Sequence, residues 1–301
     1  MMTAIRKKKH SKIGNEPIGY FFIAPFYLFF FFMVLIPIFT GIMQSFTNYD
    51  LYQTNDFVGL ANYKQLLKDP VFLQAIGNTL FYSLLYIVPT MAIGLLLALL
   101  MSKESGGYKI FRTGFYLPYI ISMVCASTIW LWIFDPTAGV LNQMLRAVGL
   151  PTSDWLKDPN LAMGCVVFVS IWKNLGYCML IYLSGIKGIP NYLYEAAQID
   201  GASKVKQFWY ITVPMLQPTT FFLFITSCIS SFNVFEQVNV LTNGGPLNTT
   251  TTIVHQIYLR GFTQFKMGYA SAMSVVLLIM VCIITLINFK FGNQGTDTDI
   301  G

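Results

Sequence analysis

Lys173 and Glu236 each stand alone in a long apolar run, and each has polar company at helical spacing. Ser170, Lys173, Asn174 and Tyr177 fall on one helix face, as do Ser227, Ser230, Ser231, Val234 and, less regularly, Glu236, with Asn233 beside them. If these runs cross a bilayer, the two ionisable groups are costly enough to be candidate functional residues. Hydroxyls, amides and aromatic faces are the groups that recognise sugars, which present many hydrogen-bonding groups and a few apolar C–H patches. A second reading stays open, since small and polar residues also hold helices together in lipid. Lys173 and Glu236 could equally neutralise each other.

Other chemistry finds little support in the residues. There is no GxxxxGK[ST] loop to cradle a phosphate, so any ATP that drives this protein is bound by another chain. His10 lies in a basic tail and His255 in a polar loop, and neither has neighbours suited to a metal or to nucleophilic catalysis. The five cysteines, Cys125, Cys165, Cys178, Cys228 and Cys282, lie in apolar runs without CxxC spacing and read as small buried residues. Gly-x-Ser-x-Gly and Ser-x-x-Lys motifs are missing, so the chain is not expected to be an enzyme.

The elements that must position these residues follow from composition. Of 301 residues, 55% are hydrophobic and 11% charged, where a soluble domain carries about a quarter charged residues. The chain reads as an all-α integral membrane protein with spans near Ile18–Ile42, Val71–Met101, Thr113–Phe134, Leu161–Ile186, Met215–Leu241 and Met267–Phe289. Residues 1–17 form a basic tail, 18–290 the transmembrane domain and 291–301 a Gly/Asp/Thr-rich tail expected to be disordered. Lys103–Arg112 is expected to be a basic turn, Asn142–Val148 a surface helix and Trp155 an interface anchor.

Basic residues set the orientation. Arg6, Lys7, Lys8, Lys9, Lys12, Lys103, Lys109, Arg112, Lys187, Lys204, Lys206 and Lys290 gather on one side of six spans. Lys64, Lys68, Arg146, Lys157, Arg260 and Lys266 are spread over the longer loops of the other. Both termini are therefore expected in the cytoplasm. The net charge of +6 follows from these flanks, so no nucleic-acid partner is needed to explain it.

The connector between the fourth and fifth spans, 187–214, is unusual. Ile189-Pro190 stops one helix, Asn191 is a candidate N-cap, Gly201 can close a short helix and Ser203 can cap a second one reaching about Val213. Small residues on one side, Ala196, Ala197, Gly201 and Ala202, would make a compact knob that fits a groove in another protein. Glu195, Ala196, Ala197, Gly201, Ile211 and Pro214 match the spacing of the EAA signature of binding-protein-dependent ABC importer permeases, with Val213 where leucine is usual. Phe57–Tyr63, Asn78–Leu80, Phe232-Asn233, Leu241–Pro246, Tyr258-x-x-Gly261-Phe262 and Gly268–Ala272 resemble the carbohydrate branch of that family, the maltose-permease type.

The resemblance implies five core helices, the second to sixth spans, plus a peripheral N-terminal helix in a bacterial or archaeal cell membrane. It implies that Tyr194, Glu195, Ala196, Ala197, Asp200, Gly201 and Ala202 meet a dimer of cytoplasmic ABC ATPases, and that ATP and Mg bind there, leaving this chain without a cofactor. Glu195, expected to favour the positive end of its helix, is also expected to meet an arginine of the ATPase. A second permease subunit, an extracytoplasmic solute-binding protein and a carbohydrate substrate complete the implied set of partners. Ser170, Lys173, Asn174, Tyr177, Ser227, Ser230, Ser231 and Val234 correspond to its sugar-lining positions, and of these Tyr177 and Ser227 keep the residue type. Lys173 leaves open a phosphorylated polyol or acidic sugar as cargo. A proton-coupled carrier using Lys173 and Glu236 as a relay is the rival of another class, although such a carrier has no need of the capped knob.

Overall fold

The computed structural model describes residues 17–52, 55–102 and 106–292. The basic tail up to residue 16 and the segment after 292, on which two of the sequence expectations fall, lie outside them. The described chain is helical, with one isolated bridge between Thr47 and Phe57 as its extended pairing. In chain order the helices are α1 Pro17–Phe30, α2 Ile36–Gln44, α3 Ala61–Leu66, α4 Pro70–Leu100, α5 Gly106–Ile120, α6 Met123–Ile133, α7 Val140–Ala147, α8 Ala162–Lys187 and α9 Asn191–Ile199. There follow α10 Lys204–Gln207, α11 Val213–Met215, α12 Gln217–Phe232, α13 Glu236–Leu241, α14 Ile253–Tyr258 and α15 Met267–Gly292. Wider π turns join α1 to α2, α10 to α11 and α14 to the loop before α15.

Among the described residues, four runs are long and apolar enough to cross a bilayer unbroken: Tyr20–Gln44, α4, α8 and Met267–Lys290. Two bent pairs, α5 with α6 and the α10–α11 arm with α12, bring the number to six. The third and fifth spans are thus broken, contrary to the sequence reading. The third turns by 100° between Ile120 and Met123, where Ser122 adopts an extended backbone just after Pro118. It also begins earlier than expected, because Gly106–Arg112, read as a turn, is already helical. The fifth is bent by 61° before Gln217 and stops at Phe232. Its last turns are weakened by back-bonding side chains: Ser231 Oγ donates to the Cys228 carbonyl (2.8 Å) and Asn233 Nδ2 to that of Ile229 (2.8 Å).

α8 is the axis of the bundle, packed against α4, α5, α6, α12 and α13. One buried cluster joins Tyr82, Tyr86 and Ile87 of α4 to Val166 and Val169 of α8 and Val238 of α13. A second, at the end where the knob lies, joins Ala98 and Met101 to Met179, Tyr182, Ile189, Leu216 and Leu223. A third, at the opposite end, joins Leu66 and Phe72 to Ile253, Tyr269 and Met273. There Asp69 caps α4 through the Val71 and Phe72 amides (2.9 and 3.3 Å) and accepts from Tyr269 Oη (2.9 Å) and Arg260 Nη2 (3.4 Å), which fastens α4 to α15.

The α5–α8 contact depends on Gly176. A Cβ there would lie 2.0 Å from the Phe115 carbonyl oxygen, so α5 can approach only where α8 carries no side chain. Overpacking costs about 1–3 kcal/mol even where side chains can give way, and here a backbone carbonyl stands in the path. Gly176→Ala is expected to lower the thermal midpoint of the purified complex by several degrees; an unchanged midpoint would contradict this helix contact.

Candidate functional site

Two adjoining cavities, about 140 and 400 Å³, open between α4, α8, α12 and the broken end of the fifth span. They share Tyr86, Asn174 and Ser230 as walls. Of the residues picked out in the sequence, Asn174, Tyr177, Ser227, Ser230, Asn233, Val234 and Glu236 line one or both. The stripe on α12 does not continue as a helix to Glu236. Asn233–Phe235 is irregular, and Glu236 opens the separate helix α13. Non-helical backbone at membrane depth is tolerated where it is buried in protein or lines a cavity, and this stretch lines one.

Three of the chosen residues stand elsewhere. Ser231 is buried and bonded back to its own helix. Ser170 is buried too, donating to the Val166 carbonyl (2.9 Å) and accepting from Gln237 Nε2 (3.1 Å). Lys173 Nζ donates to the Tyr119 carbonyl (3.1 Å) and lies 5.3 Å from the centre of the Tyr119 ring. α5 ends one residue on, at Ile120, and the last carbonyls of a helix have no partner within it. Lys173 therefore completes the broken third span, a cation at the negative end of a helix. Among the described residues Arg260 and Asp69 form an ion pair (3.4 Å), and Lys173 and Glu236 do not.

The structure adds residues that the sequence reading passed over. Tyr82 and Tyr86 stack at 5.8 Å on α4, and Thr90 continues their line one turn further along. Tyr119 of α5 stacks on Tyr177 at 4.9 Å. The spacing of 82, 86 and 90 is a helical stripe as regular as those on α8 and α12, so the signal was available. Gln237, 6% exposed, donates to Tyr82 Oη (3.0 Å) as well as to Ser170, so one amide pins α13 to α4 and α8 together. It fixes the Asn233–Glu236 turn against the cavity.

At the knob, α9 begins at Asn191 with Pro190 in the capping position, one residue earlier than expected; Leu193 N donates to the Pro190 carbonyl (3.2 Å). Gly201 has φ +74°, and the Ala202 amide closes back on the Ala197 carbonyl (2.8 Å). Ser203 caps α10 through Lys206 N (3.4 Å), and Tyr194 Oη meets Thr212 Oγ1 (2.9 Å), holding the two arms together. Glu195 falls in the second turn of α9, which has no acidic residue in its first, so the helix dipole does not explain it. It is exposed, as are Asp200, Gly201 and Ala196, while Ala197 and Ala202 are half-buried. Tyr192, Ile199 (87% exposed) and Val205 stand out around them.

At the far end, a groove of about 1040 Å³ runs between the loop carrying Asp135, Asp154 and Lys157 and the Leu241–Pro246 turn. Asp135 is held below the ordinary carboxylate range by the Ala138 amide, the Thr137 hydroxyl and the Thr137 amide. His255, read as a solvated or hydrogen-bonded structural residue, is 1% exposed, with Nδ1 3.1 Å from Thr251 Oγ1 and Nε2 3.4 Å from Asn243 Oδ1.

A bundle broken at two spans around a polar, aromatic-walled cavity, with an exposed helical knob at one end, defines a membrane permease subunit. The chain belongs to the binding-protein-dependent transport system inner membrane component family, whose model matches residues 77–292. That family is one of ABC transporter permeases, membrane subunits that are not themselves enzymes. The chain is 38% identical over 288 residues to the probable ABC transporter permease protein YurN of Bacillus subtilis (94% of this chain, 98% of that one). It is 35% identical over 279 residues to the sn-glycerol-3-phosphate transport system permease protein UgpA of Brucella abortus (92% and 95%). A chain of a bacterial alginate ABC transporter, in complex with alginate pentasaccharide-bound periplasmic protein, superposes with a TM-score of 0.84 at 27% identity, covering 93% of this chain and 96% of that one.

Two outcomes follow. Gln237→Leu removes the donor shared by Tyr82 Oη and Ser170 Oγ, while Ser170 keeps its bond to the Val166 carbonyl, a loss of about 0.5–1.5 kcal/mol per hydrogen bond; it should lower the thermal midpoint and raise hydrogen exchange in residues 233–241, and unaltered exchange there would count against the latch. Burial pulls His255 below its ordinary value of 6.5, so the folded state favours the neutral ring. Its contribution to stability is present above the unfolded pKa and is lost as pH falls through the folded one. The thermal midpoint should therefore drop more between pH 7.5 and 5.5 in the wild type than in His255→Gln; equal drops would remove this role.

Proposed function

We propose that this chain is one of two permease subunits of an ATP-driven importer that takes up a carbohydrate delivered by an extracytoplasmic solute-binding protein. The single observation that carries the reading is the pairing of the 187–214 knob with the α4–α8–α12 cavity on one continuous helix, α8. Family membership and the alginate transporter superposition support the importer class. The stacked tyrosines with Asn174, Ser227 and Ser230 support a sugar.

In this reading both termini lie in the cytoplasm. A dimer of ATPases, which binds ATP and Mg, grips Tyr194–Ala202, with exposed Glu195 on an arginine and the apolar Ile199 and Tyr192 seated in the groove around it. The loaded binding protein docks on loops 44–76, 135–160 and 242–266, where the groove beside Asp154 and Lys157 lies. Closure of the ATPase dimer moves the knob, α8 carries the movement to Asn174 and Tyr177, and the pathway opens outward. Hydrolysis resets it. A proton relay through Lys173 and Glu236 has no support in the geometry, because Lys173 is engaged by α5.

In proteoliposomes containing the full complex, Glu195→Ala should reduce uptake at least about tenfold, the loss of roughly 1.4 kcal/mol of coupling, and abolish stimulation of ATP hydrolysis by the loaded binding protein. Wild-type uptake with normal stimulation would remove Glu195 from the coupling role. Uptake driven by a proton gradient without ATP would overturn the importer reading itself.

A further inference from the structure

We infer that Glu236 is a charge filter in the pathway, admitting an uncharged or amine-bearing sugar and disfavouring a phosphorylated or carboxylated one. The inference rests on the carbohydrate reading of the α4–α8–α12 cavity and narrows its cargo.

Among the described residues that line the two cavities, Glu236 is the one charged at neutral pH. It is exposed, and among the described interactions it has neither a hydrogen bond nor an ion pair. Its carboxylate oxygens are thus available as acceptors. The neighbouring Gln237 bonds hold in place the turn from which Glu236 projects.

Lys173, the residue that would argue for an anion, lines neither cavity. Its ammonium is committed to the Tyr119 carbonyl and ring. The remaining walls are tyrosine rings, hydroxyls and the amides of Asn174 and Asn233, all neutral. A hydroxyl or ammonium reaching Glu236 makes a charge-assisted hydrogen bond, shorter and stronger than a neutral one. A carboxylate or phosphate brought to the same wall meets a like charge, while Lys173, within electrostatic range of Glu236 but outside ion-pair distance, keeps its ammonium on Tyr119; such an arrangement disfavours an anion without changing its shape fit.

The permease–ATPase complex, held with ATP and orthovanadate, is titrated with glucose, glucosamine, glucuronate and glucose 6-phosphate, and binding is read by saturation-transfer NMR. In the wild type glucose and glucosamine should bind at least about tenfold more tightly than the two anions, and Glu236→Gln should bring all four within about threefold. The variant is near-isosteric at an exposed position, and an unchanged thermal midpoint verifies its fold. Glucuronate or glucose 6-phosphate binding as well as glucose, or a tenfold gap that survives in Glu236→Gln, overturns the filter and leaves the carbohydrate reading standing. A wild-type complex that binds none of the four overturns that reading, and the filter with it.

Discussion

Everything in this bundle depends on how closely its helices approach α8. Lipid offers no hydrophobic force between helices, so packing and interhelical hydrogen bonds must hold them together. Gly176 gives α5 access to the α8 backbone at Phe115. The Gln237 amide then ties Tyr82 of α4, Ser170 of α8 and the start of α13 at one point. Lys173 satisfies the end of α5 that the bend exposes. With α8 surrounded in this way, the breaks in the third and fifth spans become stable features, and the space they leave is the cavity.

The same helix joins the two ends of the molecule. α8 runs without interruption from Ala162 to Lys187, and only Gly188–Pro190 separate it from α9. Around that junction Ile189, Leu216 and Met101 are buried together, with Leu193 and Tyr194 packed on them. A displacement of the knob therefore reaches α4 and α12 as well as α8. The opposite end is closed by a separate set of contacts: Asp69 with Arg260 and Tyr269, and the Asn78 amide on the Asn248 and Thr251 carbonyls (2.8 and 2.9 Å).

Much of this was legible in the sequence because the signals were local. Charge-free runs gave the spans, and the Pro190–Gly201 punctuation gave the first helix of the knob to within a residue. The second arm, expected to run to about Val213, is interrupted by a π turn at Phe208–Thr212 and ends at Met215. The breaks were not legible, since Ile121–Ser122 and Asn233–Phe235 interrupt helices within runs that stay apolar on average, and a window that counts apolar residues passes over both. The geometry of the candidate residues was legible in part for the same reason. Asn174, Tyr177, Ser227 and Ser230 sit on intact helix and face the cavity as their spacing required. Lys173 is explained only by the helix end that the bend creates 54 residues away, a contact no pattern along the chain could reveal.

The central claim is that the α4–α8–α12 cavity opens and closes according to the state of an ATPase attached at α9. Ser230, shared by both cavities, can report on it as cysteine in the intact complex, with the five native cysteines replaced. A membrane-impermeant thiol reagent applied from the outer face should label this position rapidly when the ATPases are trapped with ATP and slowly when they are empty. Equal labelling rates in the two states would contradict the account.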